Sequence, residues 1–529
     1  MLNISNFFFR RKEIYIGDKL KDGNFNFHKI SSYYRNIEIE NSFQNINERT
    51  WQDLELDEVF TYVDRTISKI GQQYLYYKIR VIENDFELDK FSKLTSYFEK
   101  NKKLSDIFRK HLLNLQSDRN YDFEKIVNFP EFSKKLNINT AYNLNALTLI
   151  VGISSFFLPL MSLFLLPIFF ANLILHYRNK NDIELFLGAI IQFNATFKTY
   201  GKIYDNSQFR QDQKLERLIS LEKVYRKTRF LGWEKFINNE FMMLVWFISE
   251  IIKIAFNIEF IIFNKIVDDF KDEKKSLNQL YRTIGEIDCS LSCLSIKNDV
   301  DNNCQPEFTT EKKLNIVEMY HPLVNDCVKN TISIVNESII LTGSNMSGKT
   351  TFMRSIAINS ILGQTINLCF AKQFVIPRFK IYTSIKISDD IIGGKSYYLE
   401  EVAVMKELIN QVESYDYNLF VVDEIFKGTN SIDKVSAGIS ILSYLNSNSN
   451  IVLTSTHDIE IAQELVKESF QCYYLEEHYK NDSFYFTYKL KQGIQQGNNA
   501  ISILKLYSYP NEIIEQAIKF KENRFLKNL

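Results

Sequence analysis

Residues 343–350 show the spacing that most directly implies chemistry, since two glycines with four residues between them precede a lysine and a threonine. Gly343, Gly348, Lys349 and Thr350 match the phosphate-binding loop pattern G-x-x-x-x-G-K-[ST]. Glycines let backbone N–H groups approach phosphates closely, and the N-terminus of a following helix favours anions. Lys349 would reach the β- and γ-phosphates, and the Thr350 hydroxyl would coordinate Mg²⁺. The loop therefore predicts a site for a nucleoside triphosphate.

The segments around this loop have the pattern that such a site requires. Residues 333–341 are apolar and β-branched, which predicts a buried strand, and residues 351–362 have helical spacing. A plain glycine turn entering a helix is the alternative, and the strand–loop–helix order argues against it. The other loop positions expected to contact nucleotide are Ser344, Asn345, Met346, Ser347 and Thr351.

Two further strands are predicted to end in residues that serve the phosphates. The apolar run 418–425 ends near Asp423 and Glu424. Asp423 would hold Mg²⁺ through water, and Glu424 would polarise the attacking water. Paired acids after a strand are common by chance, but downstream of a phosphate-binding loop they indicate a nucleotide site. The run 450–456 precedes His457, which could sense the γ-phosphate; alone, it would more often be an ordinary loop histidine.

A glycine turn at residues 389–401 predicts a second helix start that could accept a phosphate. Ser396 would be the N-cap of this helix, with free N–H groups facing outward. A second phosphate-accepting helix start suggests a site completed by another subunit. A simple capped helix is the alternative, and the spacing alone does not separate the two.

Length and composition limit the protein class. A chain of 529 residues should form two or three domains. Lys plus Arg and Asp plus Glu both number 64, so net charge gives no support to nucleic-acid binding, although a local basic face stays open. The six cysteines lack paired metal spacing, which predicts free thiols in a reducing cytosol. The apolar run 7–9 is too short for a signal peptide.

An uncharged apolar run of 37 residues, 141–177, predicts a membrane segment. One upright helix needs about 20 residues, so this length fits two short helices turning near Pro159. Lysines and arginines flank both ends, which favours a hairpin with both ends in the cytosol. A buried helix pair and a single kinked span are the alternatives. The run 241–267 carries four charges, so we expect an amphipathic helix of a soluble core there.

The chain divides by pattern into three parts. Residues 1–45 form a polar and aromatic lead-in, and residues 46–297 are helical by periodicity. A polar break at 298–308 precedes a region, 309–529, in which strand-like and helical runs alternate. The predicted fold is therefore an α/β phosphate-loop ATPase domain with a mostly parallel sheet, preceded by an all-α core or lever domain that carries the transmembrane hairpin.

Taken together, these residues resemble the MutS family of DNA mismatch-repair ATPases. The resemblance covers about residues 50–135 and 185–520, and it is strongest after about 315. A weaker match lies between Leu54 and Tyr76, where Asp64, Thr66 and Gly71 look like the start of the family's helical core. The strongest matches are His321-Pro322, Thr342-Gly343-x-Asn345-Met346-x-Gly348-Lys349-Thr350, the segment 389–401, Asp423-Glu424-Ile425-x-x-Gly428-Thr429-x-Ser431-x-Asp433 and Ser455-Thr456-His457.

The resemblance implies a dimeric ATPase that uses ATP and Mg²⁺. Ser396 would contact the γ-phosphate bound by the partner subunit, and residues near His321 would help cover the adenine. Residues 493–520 are similar to the helical element that braces the family's dimer. By resemblance, Lys349, Glu424 and His457 would act in hydrolysis, while Thr350 and Asp423 would serve the metal.

The chain also departs from the family pattern. The mismatch-reading domain with its Phe-x-Glu wedge has no counterpart in the first 45 residues, and the run 141–177 is an insertion. In the loop, Ser344 and Ser347 replace the usual Pro and Gly. We therefore expect a homodimer in the cytoplasmic (inner) membrane, with its ATPase domain in the cytosol and DNA as its target. A membrane-bound switch that binds a protein partner is the alternative, and a subunit of an ABC-type transporter is a third, less favoured one.

Overall fold

A computed structural model provides the coordinates of the chain, and most of its residues can be described in atomic detail. The described residues are 17, 20–21, 23–39, 41–128, 138–229, 240–344, 346–386, 397–412, 417–426, 431–480, 483–494, 504, 507 and 509–525.

The region before residue 300 is mainly helical, as its periodicity predicts, apart from one short strand pair. The helices are α1 (Phe27–Ile30), α2 (Ser32–Asn36), α3 (Glu48–Asp53), α4 (Leu56–Val63), α5 (Lys69–Arg80), α6 (Asp85–Lys100), α7 (Lys102–Leu112), α8 (Glu124–Asn128), α9 (Ile138–Phe157), α10 (Leu165–Tyr204), α11 (Ser207–Asp212), α12 (Ile219–Thr228), α13 (Glu240–Ala255), α14 (Ile258–Asp272) and α15 (Lys274–Asp299). The strands are β1 (Gln44–Asn45) and β2 (Val81–Ile82), which pair antiparallel.

After residue 300 strands and helices alternate, as the sequence predicts. The strands are β3 (Glu307–Phe308), β4 (Lys313–Met319), β5 (Asn330–Val335), β6 (Ser338–Thr342), β7 (Gln373–Ile376), β8 (Phe379–Ser384), β9 (Tyr417–Asp423), β10 (Ile451–Thr456), β11 (Phe470–Lys480) and β12 (Ser483–Gln492). The helices are α16 (Lys349–Ile366), α17 (Tyr397–Ile409), α18 (Ser431–Leu445), α19 (Ile459–Lys467) and α20 (Asn511–Phe525).

The chain forms two compact units. A helical unit contains residues 1–40, 63–78 and 90–299, and a sheet unit contains residues 41–62, 79–89 and 300–529. The polar break at 298–308 therefore lies at a unit boundary. The short segments 41–62 and 79–89 pack with the sheet unit, although the sequence pattern assigns most of them to the helical core.

Polar contacts explain why residues 41–62 belong to the sheet unit. The Gln44 side-chain amide donates to the Ile381 carbonyl and accepts from the Ile381 N–H, both at 2.8 Å. The Asp53 carboxylate accepts from the backbone N–H groups of Ile385 and Lys386, at 3.0 and 2.9 Å. Because β8 is an edge strand of its sheet, these side chains satisfy backbone groups that would otherwise lack partners.

In the helical unit, buried Asp288 of α15 holds the start of α5. Its carboxylate accepts from the backbone N–H groups of Ile67 and Ser68, at 2.9 and 2.7 Å. Gly71 allows this approach, because a Cβ there would lie 2.2 Å from an Asp288 oxygen. The segment that resembles the start of the family's helical core therefore forms an anchored helix junction.

Helices α9 and α10 form a hairpin over the uncharged run. A 3-10 turn at Pro159–Phe164 separates them, close to the predicted turn at Pro159. The Asn172 side-chain amide donates to the Thr148 hydroxyl at 3.4 Å, so the helices fold back on each other. Two helical segments, Ile138–Phe157 and Pro159–Arg178, are long and apolar enough to cross a membrane, and only 6% and 17% of them is buried.

The apolar run 241–267 is not the single amphipathic helix that its sequence predicts. It forms two helices, α13 and α14, with a break at Asn257. Asn257 adopts a left-handed conformation, φ 47°, which asparagine tolerates better than most residues. The run therefore forms a second helical hairpin, and it exposes several large apolar side chains.

Besides the short β1–β2 pair, the described part of the sheet unit contains two larger sheets rather than the one that the sequence predicts. The larger has the order β12-β11-β6-β10-β9-β8; its strands are parallel except β12, which pairs antiparallel with β11. The smaller has the order β3-β7-β4-β5 and is mixed. The mostly parallel main sheet agrees with the predicted fold.

The prediction of a single strand at 333–341 is wrong. The chain turns at Asn336, φ 59°, so that β5 joins the smaller sheet and β6 the larger one. Both pieces are apolar and β-branched, and periodicity alone therefore cannot detect the change of sheet. β6 is buried along its whole length and leads directly to the glycine-rich loop.

Candidate functional site

The glycine-rich loop joins β6 to α16, in the order that the sequence predicts. Gly343 and Gly348 have φ values of 127° and 96°, a region that favours glycine. Lys349 is the first residue of α16, and its side chain is buried, with 3% exposure. Its ammonium donates to the carbonyls of Gly343 and Ser344, at 2.7 and 2.8 Å. The lysine charge therefore lies inside the loop.

Hydroxyl groups fix the middle of this loop. The Ser347 hydroxyl donates to the Ser344 carbonyl at 2.8 Å, and the Ser344 hydroxyl donates to the Glu477 carboxylate at 2.6 Å. Met346 is 64% exposed, so its side chain faces away from the core. Asn345, also predicted to contact phosphate, lies outside the described residues.

The two predicted metal ligands are in direct contact. The Thr350 hydroxyl donates to Asp423 Oδ2 at 2.8 Å, and the Ser455 hydroxyl donates to Asp423 Oδ1. Parallel pairing of β9 with β10 places Ser455 beside Asp423. A hydroxyl and a carboxylate next to a phosphate loop suit Mg²⁺, which prefers oxygen ligands and keeps several waters and phosphate oxygens.

No group of three or more His, Cys, Asp or Glu side chains within the described part of the chain forms a metal cluster. The oxygen pair of Thr350 and Asp423 therefore suits an ion that takes few protein ligands and completes its shell with phosphate and water.

Glu424 and His457 lie together beyond the ends of β9 and β10. The strand ends at Asp423 rather than Ile425, and Glu424 leaves it with φ 54°. The Glu424 N–H donates to the Ser455 carbonyl at 3.2 Å, and Glu424 Oε1 lies 3.5 Å from His457 Nδ1. The hydrogen bond with Glu424 raises the pKa of His457 above its ordinary value. The carboxylate is thus held one residue after a metal ligand, where a base could activate water.

A cavity of about 300 Å³ lies beside the first turn of α16. Gly348, Thr351 and Phe352 form one wall, and Tyr320 and Tyr488 contribute aromatic rings. Apolar pockets with aromatic walls suit flat ligands such as a nucleobase. Tyr320 is adjacent to His321, so the residues near His321 do surround a cavity next to the predicted phosphate site.

Some predicted site residues cannot be placed. Ser396 and the glycine turn at 389–394 lie outside the described residues; α17 is described from Tyr397. The predicted bracing element, 493–520, is described only in part, and its final helix is α20. The shared γ-phosphate contact therefore stays a prediction.

Three site residues were missed from the sequence. Ser455 had a usable signal, because it lies one residue before the end of β10, next to the strand that carries Asp423. Glu477 and Tyr488 had none, since parallel pairing of β11 with β6 and antiparallel pairing of β12 with β11 bring them to the loop. Tyr488 has φ 54°, an uncommon conformation for a tyrosine, and its ring lies next to Gly348.

A mostly parallel sheet whose strand β6 runs through this loop into a buried helix defines the phosphate-loop class of α/β proteins. A family model described as MutS domain V matches residues 339–524. DNA mismatch repair protein MutS of Staphylococcus aureus strain JH9 is 29% identical to this chain over 304 residues. The corresponding proteins of strains Newman and N315 match equally.

These alignments cover 55% of this chain and 34% of each relative, so the chain spans about a third of the length of the curated relatives it matches. The stretch that matches MutS domain V, residues 339–524, contains the site described above.

Proposed function

We propose that this chain is a membrane-anchored, dimeric MutS-type ATPase that binds and hydrolyses ATP with Mg²⁺ and acts on DNA. The contact between Thr350 and Asp423 carries the nucleotide part of this proposal, because it joins the two expected Mg²⁺ ligands at the phosphate loop. The match of residues 339–524 to MutS domain V supports the same proposal.

The site residues divide the chemical work. When bound, Mg²⁺ would neutralise charge on the phosphates, held by Thr350 and, through water, by Asp423. When ATP binds, the Lys349 ammonium would give up its hydrogen bonds to the loop carbonyls and donate to β- and γ-phosphate oxygens instead. Glu424 would orient the attacking water and accept its proton. His457, held by Glu424, would donate toward the γ-phosphate.

Measurement of ATP hydrolysis tests this part. The detergent-extracted protein should release phosphate in a Mg²⁺-dependent manner, and Lys349→Ala should abolish both binding and turnover. Wild-type protein that binds no ATP at millimolar concentration would overturn the proposal.

The dimer is proposed from the sequence pattern at Ser396 and from the family. Ser396→Ala should reduce hydrolysis without weakening ATP binding in monomers. A mixture of Ser396→Ala and Lys349→Ala protomers should recover about one working site per dimer. Absence of any recovery at saturating protein concentration would count against a shared site.

The membrane anchor is proposed from α9 and α10. Their apolar side chains are exposed: Phe156 is 92% exposed and Ile153 65%. Contiguous apolar surface of this kind marks an interaction site, and its length suits a bilayer. The protein should sediment with membranes after a high-salt wash and dissolve only in detergent. Release by salt alone would rule out an integral anchor.

DNA binding is proposed from the relatives, which are named DNA mismatch repair proteins. Binding should weaken steeply between low and moderate salt, since phosphate contacts release counterions. The zero net charge favours a second candidate, an ATP-dependent switch that binds a protein. An ATP-dependent stoichiometric protein partner, with no binding to duplex, branched or mismatched DNA at low salt, would select the second candidate.

A further inference from the structure

The tip of a second helical hairpin contacts the proposed transmembrane pair near the cytosolic ends of its two spans. Helices α13 and α14 turn at Phe256 and Asn257, and this tip contacts residues of both candidate spans. Asn145 lies seven residues after the start of its span and Asn172 six residues before the end of its own. At 1.5 Å per residue, the contact lies about 10 Å inside the two candidate spans.

Two asparagines satisfy backbone carbonyls of this tip, and a third holds one of them in place. The last carbonyls of a helix lack partners within that helix. The Asn172 amide donates to the Ala255 carbonyl at 2.8 Å, and the Asn145 amide donates to the Phe256 carbonyl at 2.6 Å. The Asn257 amide donates to Asn172 Oδ1 at 2.6 Å, and Asn257 is 1% exposed. Non-helical backbone at membrane depth requires such partners, because lipid offers none.

The outer face of this hairpin continues the apolar surface of the spans. Four large apolar side chains are exposed: Phe247 at 60%, Ile251 at 41%, Ile252 at 46% and Ile262 at 40%. The opposite face of α14 packs against α10, with the rings of Phe263 and Phe186 4.8 Å apart. Phe186 lies eight residues past the end of its span at Arg178, so Ile262, next to Phe263, lies outside the spans. Ile251 and Ile252 lie only five and four residues from Phe256 at the tip, which keeps them within the depth of the spans.

The charges near the tip are paired with one another. Lys253 lies 3.5 Å from Glu250 and 3.4 Å from Glu259. The side chains of all three are largely covered, with 16%, 22% and 27% exposure. Charged side chains in lipid are tolerated where they pair with one another, and Lys253 pairs with both glutamates.

We propose that α13 and α14 form a re-entrant hairpin that enters the cytosolic leaflet without crossing it, with Ile251 and Ile252 against acyl chains. This inference rests on the proposed membrane anchor. It differs from the expectation of a soluble core helix for residues 241–267, because the charges that argued against lipid lie within 3.5 Å of one another.

Site-specific photocrosslinking in native membrane vesicles tests the proposal. A benzophenone amino acid placed at Ile252 should form phospholipid adducts, as should one at Ile153 in the first span. The same probe at Ile219, 59% exposed on α12, is the matched control. We expect the Ile252 adduct within about threefold of that at Ile153 and at least tenfold above that at Ile219.

The outcomes separate the two proposals. Lipid adducts at Ile153 with only protein adducts, or none, at Ile252 would overturn the re-entrant hairpin and leave the anchor intact. Absence of lipid adducts at both positions would remove the anchor itself.

A second variant tests the asparagine contact. Asn172→Ala should reduce the lipid adduct at Ile252 several-fold and leave that at Ile153 unchanged, because the tip loses its main contact with the spans. Thr148→Val removes the 3.4 Å contact to Asn172 and a bond within the same helix to the Leu144 carbonyl, and it should change neither adduct. An unchanged Ile252 adduct in Asn172→Ala would show that these asparagines do not hold the tip in place.

Discussion

Thr350 Oγ1 and Asp423 Oδ2 lie 2.8 Å apart, although 73 residues separate them in the chain. The distance depends on β6 and β9 flanking β10 in one parallel sheet, with Ser455 holding the other oxygen of Asp423. Two expected Mg²⁺ ligands are thus preorganised by the sheet, so metal dependence is a direct test of the site.

Thr350→Val should raise the Mg²⁺ concentration needed for half-maximal ATP hydrolysis by about tenfold, since a lost ligand or charged hydrogen bond is worth about 1.5–3 kcal/mol. A Mg²⁺ titration of phosphate release measures this. Thr365→Val, whose hydroxyl bonds only to the Ile361 carbonyl in the same helix, serves as the control. Equal Mg²⁺ requirements in wild type and Thr350→Val would contradict the assignment.

Lys349→Ala should weaken ATP binding by about 100-fold or more, because charge-assisted hydrogen bonds to phosphate are lost. Calorimetry or anisotropy with a fluorescent ATP measures the affinity. Lys489→Ala, an exposed lysine on β12, should bind as wild type does. Unfolding curves of both variants show whether the loss reflects binding or loop collapse.

Glu424→Gln should keep ATP bound and slow hydrolysis by about 10²–10⁴-fold, since general-base catalysis contributes that much. Single-turnover assays with radiolabelled ATP measure the chemical step. Glu460→Gln, an exposed acid in the first turn of α19, is the matched control. Comparable single-turnover rates in Glu424→Gln and wild type would remove Glu424 from this role.

The same Glu424→Gln variant should lower the pKa of His457 toward its ordinary value, because the carboxylate is the main cause of the upward shift. In wild type, the charged form of His457 should persist above pH 6.5 and disappear as pH rises through the raised pKa. NMR titration of the imidazole resonances, with His457→Gln to assign them, measures this. An unchanged His457 titration in the glutamine variant would rule out the proposed pairing.

Burial lowers the pKa of His321 to about 4. The His321 Nδ1 accepts a hydrogen bond from the Leu323 N–H at 3.3 Å, and only the neutral ring can accept it. The folded state therefore resists protonation, and stability should fall as pH drops from about 6.5 towards 4, by up to about 3 kcal/mol. His321→Leu should flatten this part of the stability curve in denaturant unfolding, whereas exposed His28→Leu should not. Identical pH dependence of the unfolding free energy in wild type and His321→Leu would refute this role of His321.

The sequence predicted local features well where residue type decides them. The loop, Lys349, Thr350 and Asp423 were found because phosphate and Mg²⁺ chemistry demand particular residues at fixed spacing. The change of sheet at Asn336 was missed, because β5 and β6 are equally apolar and only long-range pairing distinguishes them.

Long-range packing also explains the other differences. Glu477 and Tyr488 reach the loop through strand pairing across more than 130 residues, which no local pattern encodes. The sequence predicted one amphipathic helix at 241–267, and it gave no sign of the break at Asn257. Lys253, Glu250 and Glu259 form a cluster only after Asn257 reverses the chain.

Helix α10 continues without interruption from Leu165 to Tyr204, a length of 40 residues. At 1.5 Å per residue it is about 60 Å long, roughly twice the apolar thickness of a bilayer. In the proposed membrane anchor, such a rod has no joint at the lipid boundary. Any rotation of its proposed cytosolic half would therefore appear as tilt of its other half, and bilayer thickness would become a mechanical load on the helical unit.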